Sequence, residues 1–432
     1  MPATYGVVTH ELRQSISHAL LICALLALAA CGGGSSVAKN TSQNGSNVAV
    51  IFANNVFPIA VAEKFGGGAW NAVAVPTTNP LTVAVPAGTT NYGLAYVCPQ
   101  FTITTPISST PQNDESVIEA DISDGSAYTV SCGDNPAAGA VTGTYSASSS
   151  AGSSFVEIVG AQDTVIVQPG NSGPVTGTLA TSTKDIAVVA IDEKLNPLAI
   201  QILRSQSVPG AMNGGSTITL TSANATTVQP VVVSDVPTGF GAPVSAALYI
   251  TANGTRIPLN VGMNPQYAAV PSSVSTSGDS YRFVANSGKG VSGSLQQVST
   301  IQNATSGGPV TLNLPAPLAV QAPIPAASPS FNLDSSGFSG DAVVYDSANL
   351  FWQMAGINYV ISVYATEAFL SGSTNLAVPD LTSMAGFLAR APSGTTISWT
   401  ATISGGSYFP LTSTPTSGSL SSASDSGTYI EP

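Results

Sequence analysis

The sequence predicts an all-β protein built of tandem β-sandwich domains. Three observations lead there. The chain of 432 residues carries 42 glycines and 30 prolines. Only 7% of its residues are charged, against roughly 25% in an average soluble domain. Short apolar runs recur at intervals of about 8–12 residues, with turn residues between them, which is the spacing of sandwich strands. Helical surfaces are usually furnished by Glu, Lys and Arg, whereas Ser, Thr, Asn, Gly and Pro are poor helix formers. Long helices are therefore not expected. Length alone suggests about three domains.

Successive strands can be read from about residue 48. VAVIFANNV opens a first module over 48–150, continued by LTVAVPAG, NYGLAYVC, VIEADIS and AYTVSC. GDNPAAG and SASSSAGSS (146–154) then read as a joint. FVEIVGA, DTVIVQP, DIAVVAID, LAIQILRS and STITLTS form a second module over 151–228, with Asp192-Glu193-Lys194 as a turn between two of its strands. A third module covers 229–314 and holds the clearest hairpin, AALYITANGTRIPLNVG. Its Asn253-Gly254 predicts a type I′ turn with both φ angles positive. Pro258 predicts a free edge or a bulge on the returning strand. PAPLAVQAPIPAASP, within 315–330, carries five prolines and reads as an extended, semi-rigid linker. The last module, 331–432, contains GINYVISVYA and TISWTATISG, whose alternation gives each strand one apolar face. LTSMAGFLAR (381–390) is the one helical candidate after the N-terminal segment. The pattern suggests immunoglobulin-like or fibronectin-like sandwiches by analogy, with no family motif behind it.

Residues 1–30 read differently. ALLICALLALAA (19–30) is apolar but shorter than the roughly 20 residues of a membrane span. With Arg13 upstream and small residues at its end, it fits a secretory signal. Leu28-Ala29-Ala30-Cys31 resembles the lipobox of bacterial lipoprotein signal peptides. The resemblance implies cleavage before Cys31, lipidation of its thiol, and a protein anchored to the cell envelope. Gly32 follows where an Asp would favour inner-membrane retention in Gram-negative lipoproteins, so the outer membrane is implied. Two or more acyl chains make detachment rare, because each buried methylene contributes ~0.8 kcal/mol. Residues 32–47, GGGSSVAKNTSQNGSN, form the expected flexible tether, spanning roughly 20–25 Å as a coil.

The chemistry left to the exported part is narrow. Both histidines, His10 and His18, precede Cys31. Cleavage therefore removes Ser-His-Asp and Cys-His catalysis, and zinc sites built on imidazole. GxSxG and P-loop motifs are missing. Ser36-Val37-Ala38-Lys39 matches SxxK only formally, because it lies in the tether. Cys98 and Cys132 sit in strand-like runs and are expected to form a disulfide in an oxidising compartment. The net charge is −12, and the nine Lys and Arg after Cys31 are scattered. Neither nucleic acid nor an anionic lipid surface is an expected partner.

Asp114, Glu115, Glu119, Asp121 and Asp124 are five carboxylates within NDESVIEADISDG. Calcium is the ligand such a cluster would take outside the cell; a solvated strand face is the plainer alternative. No other cofactor is expected. Trp70, Trp352 and Trp399 raise a carbohydrate-binding reading, although Trp399 alternates with core isoleucines. The expectation is a non-enzymatic cell-envelope lipoprotein with a structural, adhesive or ligand-binding role, its partner a glycan or protein. A carbohydrate-binding surface protein and a histidine-free envelope hydrolase are the alternatives.

Overall fold

The computed structural model describes residues 45–432 apart from 106–107, 133–137, 148–154, 161–163, 168–171, 195, 261–264, 292–293, 319, 321–322, 324–327, 339, 410 and 413–414. The signal segment, Cys31, most of the tether and much of the SASSSAGSS joint lie outside the described residues.

The chain is almost entirely β, in stacked sheets. The middle layer is a thirteen-stranded sheet. At one end it holds Arg256–Pro258, Val244–Ile250, Ser280–Val291 and Ser294–Ala304. Gly418–Ile430, Thr396–Gly406, Val343–Met354 and Ile357–Thr366 follow in that order. Ser108–Asp121, Asn91–Val97, Ala60–Phe65 and Asn71–Val73 complete it, with Phe101–Thr105 also paired to Ser108–Asp121.

Two pairings carry this sheet across distant parts of the sequence. Ser294–Ala304 runs antiparallel to Gly418–Ile430. Ile357–Thr366 runs parallel to Ser108–Asp121. Strands from 48–150, 229–314 and 331–432 thus share one hydrogen-bonded sheet. The Pro-rich segment does not interrupt it. Leu318 is buried, Gln296 Nε2 donates to its carbonyl at 3.0 Å, and the Val320 N–H donates to Asp425 Oδ2 at 3.1 Å. Where described, this segment lies packed on the sheet instead of spacing two bodies apart.

Each face of the large sheet builds its own core. On one side the sheet of Leu81–Val85, Ser46–Phe52 and Ala127–Val130 packs over it. Val48, Val50, Phe52 and Tyr128 meet Tyr92, Leu94 and Ile118 there. Cys98 and Cys132, each just past a strand of one sheet, are disulfide-bonded and tie the two layers together. The bridge closes a separation of 34 residues, worth roughly 3–4 kcal/mol in the chain-entropy picture. Reduction is expected to lower the urea midpoint correspondingly. Cys98→Ser with Cys132→Ser should reproduce that loss, and a midpoint unchanged on reduction would show that packing alone holds the layers.

On the other side Ala62, Val117, Leu350, Trp399 and Phe283 join a second core. It is shared with Thr227–Ser234 and its neighbours, and with the sheet of Thr164–Val167, Phe155–Val159, Ser182–Ile191 and Pro197–Val208. This last sheet is covered on both faces. Ala187, Val189 and Ile191 face the large sheet's core, while Ile186, Val188 and Ala190 face a third core built with Ala138–Ala147 and Ser172–Ala180. Double burial is why DIAVVAID reads as an unbroken apolar run, where a half-exposed strand alternates.

Two local expectations are corrected. The 244–258 hairpin forms, with Tyr249 opposite Ile257, but its turn is not type I′. Only Gly254 has positive φ, at 84°, and Asn253 does not. The Gly254 N–H donates to the Thr251 carbonyl, and the Thr251 N–H to the Thr255 carbonyl. This is the three-residue loop that ends on a left-handed glycine. Residues 381–390 form turns, not a helix: the Met384 N–H reaches the Leu381 carbonyl three residues back, and Gly386 takes a φ of 86° that no helix accepts. A short helix lies instead at Glu367–Leu370, capped by Thr366. Asp192 does make the expected turn, its Oδ1 accepting from the Lys194 and Asn196 N–H groups at 2.8 Å.

Candidate functional site

Strand Ser108–Asp121 carries most of the acidic run, and a strand sends successive side chains to opposite faces. Asp114 therefore parts from Glu115 and Glu119. Glu115 is 2% exposed on the face that carries Val117. Its Oε2 accepts from the Leu388 N–H at 3.0 Å. Burial pushes this carboxyl up to about 7, with Asp380 adding to the rise.

Glu115 lies at a small cleft of ≈ 40 Å³, room for about three waters. Leu350, Trp352, Ile361 and Ile397 make its floor on the large sheet, and the turns over 378–391 make its roof. Trp352 stacks on Tyr359 at 5.4 Å between ring centres. Arg390 and Glu431, also lining the cleft, pair at 3.4 Å. The arrangement is an apolar slot with a protonatable acid in its wall. It suits a small polar group or ordered water better than a ring.

The other acidic residues lie elsewhere. Asp114, half-buried on the opposite face, accepts from Gln112 Nε2 at 2.7 Å; burial raises its carboxyl to about 6. Glu119 is ion-paired with Lys64. Asp121 Oδ1 accepts from the Ser123 N–H at 2.8 Å, and Asp124 Oδ2 from the Asp121 N–H at 3.2 Å, so these two organise the turn that ends the strand. The five residues are not brought together. Among the described residues no group of three or more His, Cys, Asp or Glu is placed to hold a metal ion.

Trp352 and Trp399 are buried, each 3% exposed. Trp70 is half-buried, with Lys64 Nζ 5.0 Å from its ring centre.

Two polar centres escape sequence reading. Asp346 is 1% exposed, and its Oδ1 has no hydrogen-bonding partner among the described residues. Burial, then Glu367, raises its carboxyl to about 7. The signal for it was present in VVYDSANLFW: Asp346 shares the parity of Leu350 and Trp352, the apolar face. The second centre is Arg204 between Asp185 and Asp279. It joins residues far apart in sequence and leaves no local pattern.

No helix among the described residues is long and apolar enough to cross a membrane. No protein family matches the chain, and no curated protein does either.

Proposed function

We propose that this chain is a lipid-anchored protein of the bacterial cell envelope, with a structural or adhesive role for its exported β body and no catalytic one. The observation that carries the reading is Leu28-Ala29-Ala30-Cys31 at the end of an apolar run of signal length. The glycine- and serine-rich stretch that follows supports it as a tether, and the first described strand begins at Ser46, so the last two residues of the expected 32–47 tether belong to the body. Gly32 supports the outer membrane as the destination. The layered cores, the disulfide between layers and the small size of the cleft favour a body that bears load or presents a surface over one that turns over a substrate. A glycan or a protein of the envelope is the partner class such a surface would meet, and no cofactor is proposed.

Expression with labelled palmitate tests the anchor. The wild-type chain is expected to incorporate label and to partition into detergent. Cys31→Ser should abolish labelling and leave an uncleaved or soluble product. A labelled Cys31→Ser protein would overturn the assignment. Hydrolysis of envelope polymers by the purified exported body would overturn the non-catalytic role.

A further inference from the structure

We propose that Lys64 and Glu119 form an intramolecular cross-link, an amide joining Lys64 Nζ to Glu119 Cδ across an intervening strand. This goes beyond the anchoring reading and does not depend on it.

The geometry begins with a glycine. Lys64 lies on Ala60–Phe65, Glu119 on Ser108–Asp121, and Asn91–Val97 runs between them. The register sets Lys64 opposite Gly93, and Gly93 opposite Glu119. A Cβ at Gly93 would fall 2.8 Å from Lys64 Cγ and 2.7 Å from Trp70 Cη2. Only a bare backbone there lets the lysine stem cross the strand. Nζ and the Glu119 carboxylate are in direct contact.

The surroundings are apolar. Nζ lies 5.0 Å from the Trp70 ring centre and 5.2 Å from that of Phe369. The side chains of Lys64 and Glu119 are 17% and 8% exposed. Among the described residues, each is the other's sole hydrogen-bonding partner. As a plain ion pair this is a poor arrangement. Burial of two charges is repaid only when their remaining protons and lone pairs are also satisfied. Here an ammonium and a carboxylate keep spare donors and acceptors against aromatic rings. The chain has few cations, and it places one of them here. An amide removes both charges and leaves one donor and one acceptor.

The step balances without a co-reactant. Nζ passes a proton to the carboxylate, giving an amine and a carboxylic acid. The amine lone pair adds to Cδ. The C–OH bond breaks, and the hydroxyl departs with a second amine proton as water. One C–N bond forms, one C–O bond is lost, and nothing is oxidised or reduced. Fixed juxtaposition removes the entropic part of the barrier, and partial burial favours the neutral amine and acid that react over the ion pair that does not. A second buried acid lies in the same cross-strand row. Glu119 stands opposite Ala365, and Ala365 opposite Asp346, so the two acids flank one alanine position. Asp346 is buried, its Oδ1 without a partner among the described residues. Glu367, which also raises the Asp346 carboxyl, opens the short helix that carries Phe369.

The link would close three strands at the end of the large sheet into a covalent unit, in addition to the disulfide that ties this sheet to its neighbour. Intact-mass measurement of the purified, folded exported body, with its disulfide reduced, tests it. The expected mass is one water below that of the sequence. Peptide mapping should then return a branched peptide joining Lys64 to Glu119. Lys64→Arg, which keeps the charge and cannot form the same link, should restore the full mass, as should Glu119→Ala. A wild-type protein at full sequence mass would overturn the proposal. So would a missing water that maps to a linear peptide, such as a cyclised Asp124-Gly125. Because the decisive measurement is on the wild-type chain, a variant that fails to fold does not obscure the result.

Discussion

Arg204→Met is expected to destabilise the protein by about 3–5 kcal/mol, the range for removing one partner of a buried charge network. The guanidinium makes a fork. Nη1 donates to Asp185 Oδ2 at 2.9 Å and to Asp279 Oδ1 at 3.1 Å. Nη2 donates to Asp279 Oδ2 and to the Val274 carbonyl, both at 2.7 Å. The two carboxylate side chains are 0% and 1% exposed. Burial alone would push both carboxyls up. Hydrogen bonds outweigh it and hold both below the usual carboxylate range: Ser205, Asn253 and Arg204 donate to Asp185, and Arg204, Tyr249 and Thr276 to Asp279. Met fills most of the arginine's volume but leaves two buried charges facing one another. Asp185 lies on Ser182–Ile191, and Asp279 directly precedes Ser280–Val291 of the large sheet. The fork therefore joins two layers, and its loss should loosen their contact before either sheet melts. Urea unfolding measures the effect. Arg204→Met combined with Asp185→Asn and Asp279→Asn should recover part of the loss, because the stranded charges are then gone. A loss under about 1 kcal/mol for Arg204→Met alone would mean that the site behaves as a surface pair.

That network shows where sequence reading stops. The alternation of Ile397, Trp399, Ala401 and Ile403 announces a strand with one buried face, and the structure buries all four. Alternation is a local signal, set by the pleat. The pairing of Ile357–Thr366 with Ser108–Asp121 is not local. Its hydrogen bonds are made by backbone groups that every residue carries, so nothing in either segment names the other. The acidic run failed for a related reason. Five carboxylates close in sequence suggested one site, yet the pleat sends Asp114 and Glu115 to opposite faces. The same pleat, applied across Gly93, brings Lys64 and Glu119 together from 55 residues apart. Asp346 was legible by parity alone. An acid on the apolar side of VVYDSANLFW is an exception to the pattern, and exceptions of that kind mark a group whose burial costs free energy.

That cost sets the second large effect, a stability maximum in mild acid. Asp346 and Glu115 are raised to about 7, and Asp114 to about 6, in each case by burial first. For an acid raised on folding, the native state keeps a proton that the unfolded chain has already released. Stability from such a group is therefore present below its unfolded pKa and is lost as pH climbs through its folded value. Between those two values the slope is about 1.4 kcal/mol per pH unit for each group. Asp185 and Asp279, lowered on folding, act in the opposite sense. Their contribution is present at neutral pH and is lost as pH falls through the acid range below about 4. The raised acids begin to cost stability once pH passes their unfolded values, so the two sets together place the maximum at about pH 4, with several kcal/mol lost by pH 8. The net charge of −12 adds repulsion on the same alkaline side. Urea midpoints at pH 5 and pH 8 measure the difference. A midpoint equal or higher at pH 8 would contradict it. Asp346→Asn separates the cause. Its amide has no proton to lose between pH 4 and 7, so the variant's stability should fall less steeply across that range. At pH 8 it should stand above the wild type, because the carboxylate with the unpartnered Oδ1 is the charge the fold is least equipped to hold.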